Sequence, residues 1–398
     1  MNSLYCFGID MPAQQMGGAM AQKKMTAAFI WSHFLLPGDL VMFRRMVLLL
    51  FFAYGVPSVV LAGPYTEAGV NGYIGDDWRH ADPCDADAVV NPIFRGWATG
   101  VVSYSPTSGV DSQWTDANKA LGAATGNHTD IVSLGDLETN GINDGCEPGQ
   151  ITLTFSETIR DRAGYDFAIF ENGFISDYDT SGGSVAGEMF AELGYVEVSS
   201  DGSNFARFPS VSLTAEAVGS YGTLEISDVF RLVGKHPNAG GVCTSTPFDL
   251  NDIASDPCVV SGVVDINNIN YVRIVDIPGS GDFNDEAVKH IDPNSWPSWG
   301  NFDANHPIYD AWVTWGSGGL DLEAVGVLRE QEYSADINLD GVVDMFDFAL
   351  IGSAWRSHFS EGDWIGRCDL AEPRDLVIDE LDLCEFTKQW LGKESWRD

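Results

Sequence analysis

Basic residues are scarce in this chain: 21 Lys and Arg stand against 58 Asp and Glu, a formal charge of −37. Phosphate recognition needs clustered cations, so nucleic acid is excluded as a partner. Zinc spacing is missing too, since no C-x-x-C pair occurs and no Cys/His cluster has the offsets of a zinc site. No G-x-S-x-G elbow is present, and His128, His236, His290 and His306 sit in separate polar segments, which argues against a serine-type hydrolase. The apolar run Met46 to Tyr54 is cut by Gly55 and Pro57, well short of the ~20 residues that span a bilayer. Amphipathic helical periodicity is absent between Gly63 and Glu330, which removes helical bundles and βαβ folds. Disorder does not follow from the charge, because 44% hydrophobic and 12% aromatic residues are enough for a packed core.

Residues 1–62 differ from the rest. Arg44-Arg45 precede the apolar run, and Val60-Leu61-Ala62 offers small or aliphatic residues before Gly63, the pattern of a cleaved signal peptide. The expected localisation is secreted or cell surface, with no stable membrane span once the leader is removed. That leader holds four of the Lys/Arg and two of the Asp/Glu, so the exported chain is more acidic still. Such charge opposes compaction unless cations neutralise it. Outside the leader stand Cys84, Cys146, Cys243, Cys258, Cys368 and Cys384. An even count in an exported protein favours disulfides, and nearest-neighbour pairing gives Cys84–Cys146, Cys243–Cys258 and Cys368–Cys384.

From Gly63 to about Glu330 the chain reads as short strands between Gly/Asn/Asp/Ser-rich turns. Strands are expected at 151–155, 165–170, 194–199, 205–208, 271–277 and 320–328, with Asp201-Gly202 as a hairpin turn between two of them. The fold class is therefore mainly β: a β-sandwich or jelly-roll domain over 63–330, then a small α-helical calcium-binding module over 331–398.

That module rests on Asp336-Ile337-Asn338-Leu339-Asp340-Gly341-Val342-Val343-Asp344-Met345-Phe346-Asp347, where oxygen-bearing side chains occupy loop positions 1, 3, 5, 9 and 12 with glycine at 6. A calcium ion takes about 6–8 oxygen ligands. Asp336, Asn338, Asp340, the Val342 carbonyl, Asp344 and Asp347 are the expected set. A second series follows in Cys368 to Asp382, with Asp369, Asp375, Asp379 and Asp382 as donors; it is two residues longer, and Leu376 replaces the glycine. A helical pattern ending in tryptophan follows each loop: Met345 to Trp355, then Glu380 to Trp390. Val343 and Ile378, at position 8 of the two loops, are expected to face each other in a short antiparallel bridge.

This duplication resembles a dockerin, the family of small modules with two calcium loops, each followed by a helix, that dock onto cohesin domains of extracellular polysaccharide-degrading assemblies. The resemblance implies Ca2+ as cofactor and a cohesin-like or other surface protein as partner. Four further stretches, Phe170 to Gly173, Val196 to Gly202, Thr246 to Leu250 and Trp315 to Val327, resemble a family of exported bacterial cell-surface proteins with no established activity. Relatives of that kind often end in an apolar anchor, whereas here the loops precede Trp396-Arg397-Asp398, which implies tethering through a partner.

Two function classes remain. One is a non-catalytic extracellular protein, with Trp296, Trp299, Tyr309, Trp312 and Trp315 as a glycan-binding set flanked by Asp303, Asn305 and Asp310. The other is a polysaccharide-degrading glycoside hydrolase or lyase. Catalysis would need two carboxyls about 5–9.5 Å apart, and spacing alone singles out no pair; Glu171, Asp321 and Glu323 read equally as strand-edge charges or a structural cation site.

Overall fold

The computed structural model describes residues 65–284, 307–314, 317–358, 363–371 and 374–397. The leader 1–62, Trp296, Trp299, Trp315, His290, His306, Asp303 and Asn305 lie outside those residues.

The protein is mainly β. A single antiparallel sheet runs in the order Val70–Asn71, Thr244–Phe248, Phe167–Glu171, Asp321–Leu328, Phe94–Ser105, Gln150–Ile159, Ile269–Asp276, Gly194–Ser199, Ala206–Arg207, and Val132–Ser133 also pairs with Asp321–Leu328. The sheet curls at Phe94–Ser105. The first residues of this strand pair with Asp321–Leu328, and the remainder pairs with Gln150–Ile159 across register shifts at Ala98/Gly100 and Val101/Ser103. Such irregularities bend a strand and raise its twist, so both halves of the sheet contribute to one core of Phe167, Ile169, Phe248, Val325, Ile151, Leu153, Val196, Val198, Val272 and Ile274. Alternate residues of the buried strands serve other clusters: Ala168 and Phe170 pack with Phe94 and Tyr165, and Tyr195 packs with Met189 and Leu232, as period-two geometry requires.

The expected strands appear with small shifts at their ends, and Gly194–Ser199 keeps its bounds. Glycine 202 makes its turn at φ +76. Residues 61–398 form one compact unit. Two helices close the chain, Met345–Ser353 and Glu380–Gln389, and pack with the loops before them around Ile337, Val343, Ile351, Cys368, Ile378 and Phe386. Among the described residues no helix is long and apolar enough to cross a membrane.

The expected disulfide pairs do not form. Cys146, Cys243, Cys258, Cys368 and Cys384 are free thiols. Packing explains it: Cys243 is buried with Phe170, while Cys258 lies against a different cluster. Cys368 is buried in the module core and Cys384 is exposed on the second helix.

Candidate functional site

The two C-terminal loops share one set of hydrogen bonds built from different residues. In the first, Asp347 is fully buried; its Oδ1 accepts from the Ile337 and Asn338 amides at 2.8 and 3.1 Å, and its Oδ2 from the Asp344 amide at 2.8 Å. In the second, Asp382 Oδ1 accepts from Leu370 and Ala371 at 2.7 and 2.9 Å, and Oδ2 from Asp379 at 2.7 Å. Asp336 Oδ2 accepts from Gly341 N at 2.9 Å, as Asp369 Oδ2 does from Leu376 N at 3.1 Å. Asp340 takes the Val342 amide and Asp375 the Val377 amide. Asp344 and Asp379 cap the two helices, each in a reciprocal capping box with the acid three residues on.

The glycine that the second loop lacks proves dispensable. Gly341 has φ +85, and Leu376 holds the same left-handed region at φ +63, a conformation that costs a side chain roughly 1–2 kcal/mol. Two more residues separate Asp369 from Asp375 than separate Asp336 from Asp340.

Val343 and Ile378 do not pair with each other, contrary to expectation. Both are buried in one core, but each bonds the segment that follows the other loop's helix. Val343 N donates to Gly392 O and Leu391 N to Val343 O, at 2.9 and 3.0 Å; Ile378 N donates to Ser357 O and Arg356 N to Ile378 O, at 3.1 and 2.7 Å. Arg356 and Leu391 both have positive φ, 69 and 64. The repeat is thus reciprocal, and it occupies the backbone edges that a direct bridge would need.

The donors of both loops are hard oxygens: carboxylates, the Asn338 amide and backbone carbonyls. Asp336 is buried, and burial together with the neighbouring Asp347 pushes its carboxyl up to about 7. Asp369 rises to about 6 by burial, and its Oδ1 is buried with no hydrogen-bond partner. Two arginines supply part of the missing positive charge: Arg397 Nη1 contacts Asp340 Oδ1 at 2.9 Å, and Arg367 Nη2 donates to Asp336 O at 2.7 Å. The same side chains tie the loops to the sheet, Arg397 over the Trp78 ring at 4.7 Å and Arg367 over Tyr165 at 5.1 Å. Among the described residues, oxygens of three acids come within 4.8 Å of one another only at Asp161, Asp166 and Asp249, so the loop carboxylates stand farther apart than that. Asp166 spends both oxygens on the Arg162 and Leu250 amides.

Of the aromatic set, Tyr309 covers Gly281 of its own hairpin, where an added Cβ would stand 2.3 Å from its ring. Trp312 is half-buried and donates Nε1–H to Leu137 O at 3.3 Å. Both residues are half-buried, and Asp310 is buried, accepting from Leu193 N at 2.7 Å. The strand acids are not edge charges either: Glu323 is buried and accepts from Thr125 N, Thr125 Oγ1 and Asn238 Nδ2, each at 2.6 Å. His236 is buried, and its ring nitrogens lie within hydrogen-bond distance of Thr246 Oγ1 and Glu67 O.

No protein-family model matches the chain, and no curated protein matches it either.

Proposed function

We propose that this is an exported, non-catalytic surface protein whose C-terminal double loop is a calcium-dependent docking module of dockerin type, carried by a β-sandwich of jelly-roll kind. The observation that supports this reading is the repetition of the main backbone contacts in the two loops, made twice by the acids at positions 1, 5, 9 and 12, although the bonds from Asp340 N to Asp336 and Asn338 occur in the first loop alone among the described residues. Asp336, Asn338, Asp340, Val342 O, Asp344 and Asp347 would hold one ion, and Asp369, Asp375, Asp379 and Asp382 the other. Bound calcium would supply the positive charge that buried Asp336 and Asp369 lack.

A docking role draws support from apolar side chains that the module leaves in solvent. Leu381, Trp390 and Leu391 are 56%, 40% and 67% exposed, a grouping at one helix and the turn after it that suits a partner surface. The test is binding of the whole chain to an immobilised panel of cohesin domains, with calcium and then with chelator. Calcium-dependent capture that is lost on Leu381→Ser supports the reading. Failure of every cohesin to bind, or binding that ignores chelator, removes it.

A further inference from the structure

Five acids from distant parts of the chain meet at one end of the sheet: Glu171, Glu192, Asp276 and Asp310 are at most 9% exposed, and Asp321 lies with them. Four of them spend one oxygen locally. Glu171 Oε2 accepts from Gly173 N, Glu192 Oε1 from Gly319 N and Asp276 Oδ1 from Leu320 N, all at 2.9 Å, while Asp310 Oδ2 accepts from Leu193 N. The other oxygens are idle: Glu171 Oε1, Asp276 Oδ2 and Asp321 Oδ1 are buried without a partner. Among the described residues none of the five forms an ion pair, and the charges acting on Glu192 are all acidic.

Glu192 is the member that reaches open space. It lines a cleft of about 500 Å³ whose walls include Trp114, Phe190, Tyr221, Asp111 and Ser317. Its second oxygen accepts no hydrogen bond among the described residues, although the side chain is more than nine-tenths buried. Tyr221 is 58% exposed, so its ring is not held there by burial in the core. Trp114 already takes one cation, with Lys119 Nζ 5.2 Å from its ring centre.

We propose that this cleft binds a small organic ammonium ion, with Glu192 as its counter-charge and Trp114, Phe190 and Tyr221 as cation–π walls. Two terms act together. A cleft of one sign with low-dielectric walls concentrates cations, and an aromatic face attracts an ammonium group within about 6 Å. Burial and mutual repulsion push Glu171, Glu192, Asp276 and Asp310 well above the usual carboxylate range, which is the signature of a missing positive charge. The volume suits a small ligand. Inorganic metal fits less well, because no three of these acids bring oxygens within 4.8 Å of one another.

The experiment is calorimetric titration of the whole chain with choline, with its neutral carbon isostere 3,3-dimethylbutan-1-ol, with cellobiose and with calcium chloride. Choline is expected to bind at least tenfold more tightly than the isostere and cellobiose. Glu192→Gln, which keeps an acceptor for Gly319 N, should weaken choline at least tenfold with thermal unfolding unchanged or raised; Tyr221→Ala, at an exposed position, should weaken it severalfold. Equal binding of the isostere, tighter binding of cellobiose, displacement of choline by stoichiometric calcium, or full affinity in both variants would overturn the proposal.

Discussion

The double loop and the buried acid cluster beside the cleft use carboxylates in opposite ways. In the loops both oxygens of Asp347 and Asp382 are occupied by amides of their own turn. In the acid cluster beside the cleft, Glu171 Oε1, Asp276 Oδ2 and Asp321 Oδ1 are buried without a hydrogen-bond partner. Asp347 and Asp382 are therefore structural before any ion arrives, whereas Asp369 keeps one buried oxygen without a partner. Cleft acids burden the fold unless something positive is bound, because a buried carboxylate without a counter-charge is costly.

That contrast predicts opposite outcomes for removing a charge. Asp347→Ala or Asp382→Ala strands three backbone donors, at roughly 1 kcal/mol or more each, so either should lower the unfolding free energy of the whole chain by about 3 kcal/mol in urea. A loss under about 1 kcal/mol would mean that these bonds do not hold the loops. Asp276→Asn keeps the acceptor for Leu320 N and deletes a buried charge; a gain of about 1 kcal/mol at pH 8 is expected, and a loss there would contradict the uncompensated field.

Acidity sharpens the same comparison. Burial pushes the Asp321 carboxyl up to about 7, and burial raises Asp276, Asp310, Glu171 and Glu192 as well. These folded values lie above the unfolded ones, so the native state binds more protons and the acids' contribution to stability falls as pH rises from about 4 through about 7. Urea midpoints at pH 5 and pH 8 sum this with the same trend from Asp336, Asp369, Asp166 and Asp249, which burial also raises, so Asp276→Asn should reduce the difference without abolishing it.

Smaller effects separate the two loops. Gly341→Ala forces a side chain into φ +85, with its Cβ 2.8 Å from Trp396, and should cost about 1–2 kcal/mol. Leu376→Gly relieves similar strain but removes a half-buried side chain from the module core, so its net effect should stay within about 1 kcal/mol of zero. Equal losses at both positions would show that the loops are not conformational equals.

Legibility followed sequence distance. The loops could be read because every donor lies within a dozen or so residues of its partners and glycine marks the turn. The cleft could not, because Glu171, Glu192, Asp276, Asp310 and Asp321 are brought together by five separate segments of the chain, and in an acidic protein no single one stands out. Strand Phe94–Ser105 escaped notice because Gly96 and Gly100 interrupt it and its exposure does not alternate. Thr244–Phe248 was masked by Pro247, which pairs opposite Ala168 and argues against a strand when read alone. The reciprocal bonding of Val343 and Ile378 depends on turns after both helices, which the loop spacing does not encode.

Calcium binding by both loops is read out by calorimetric titration of the chelator-treated whole chain. Two calcium ions per chain are expected, the tighter one lost in Asp340→Ala. Arg397→Gln should strengthen that site severalfold, since the guanidinium now contacting Asp340 Oδ1 competes for the same oxygen. Absence of binding heat, or an isotherm unchanged by Asp340→Ala, would contradict the account.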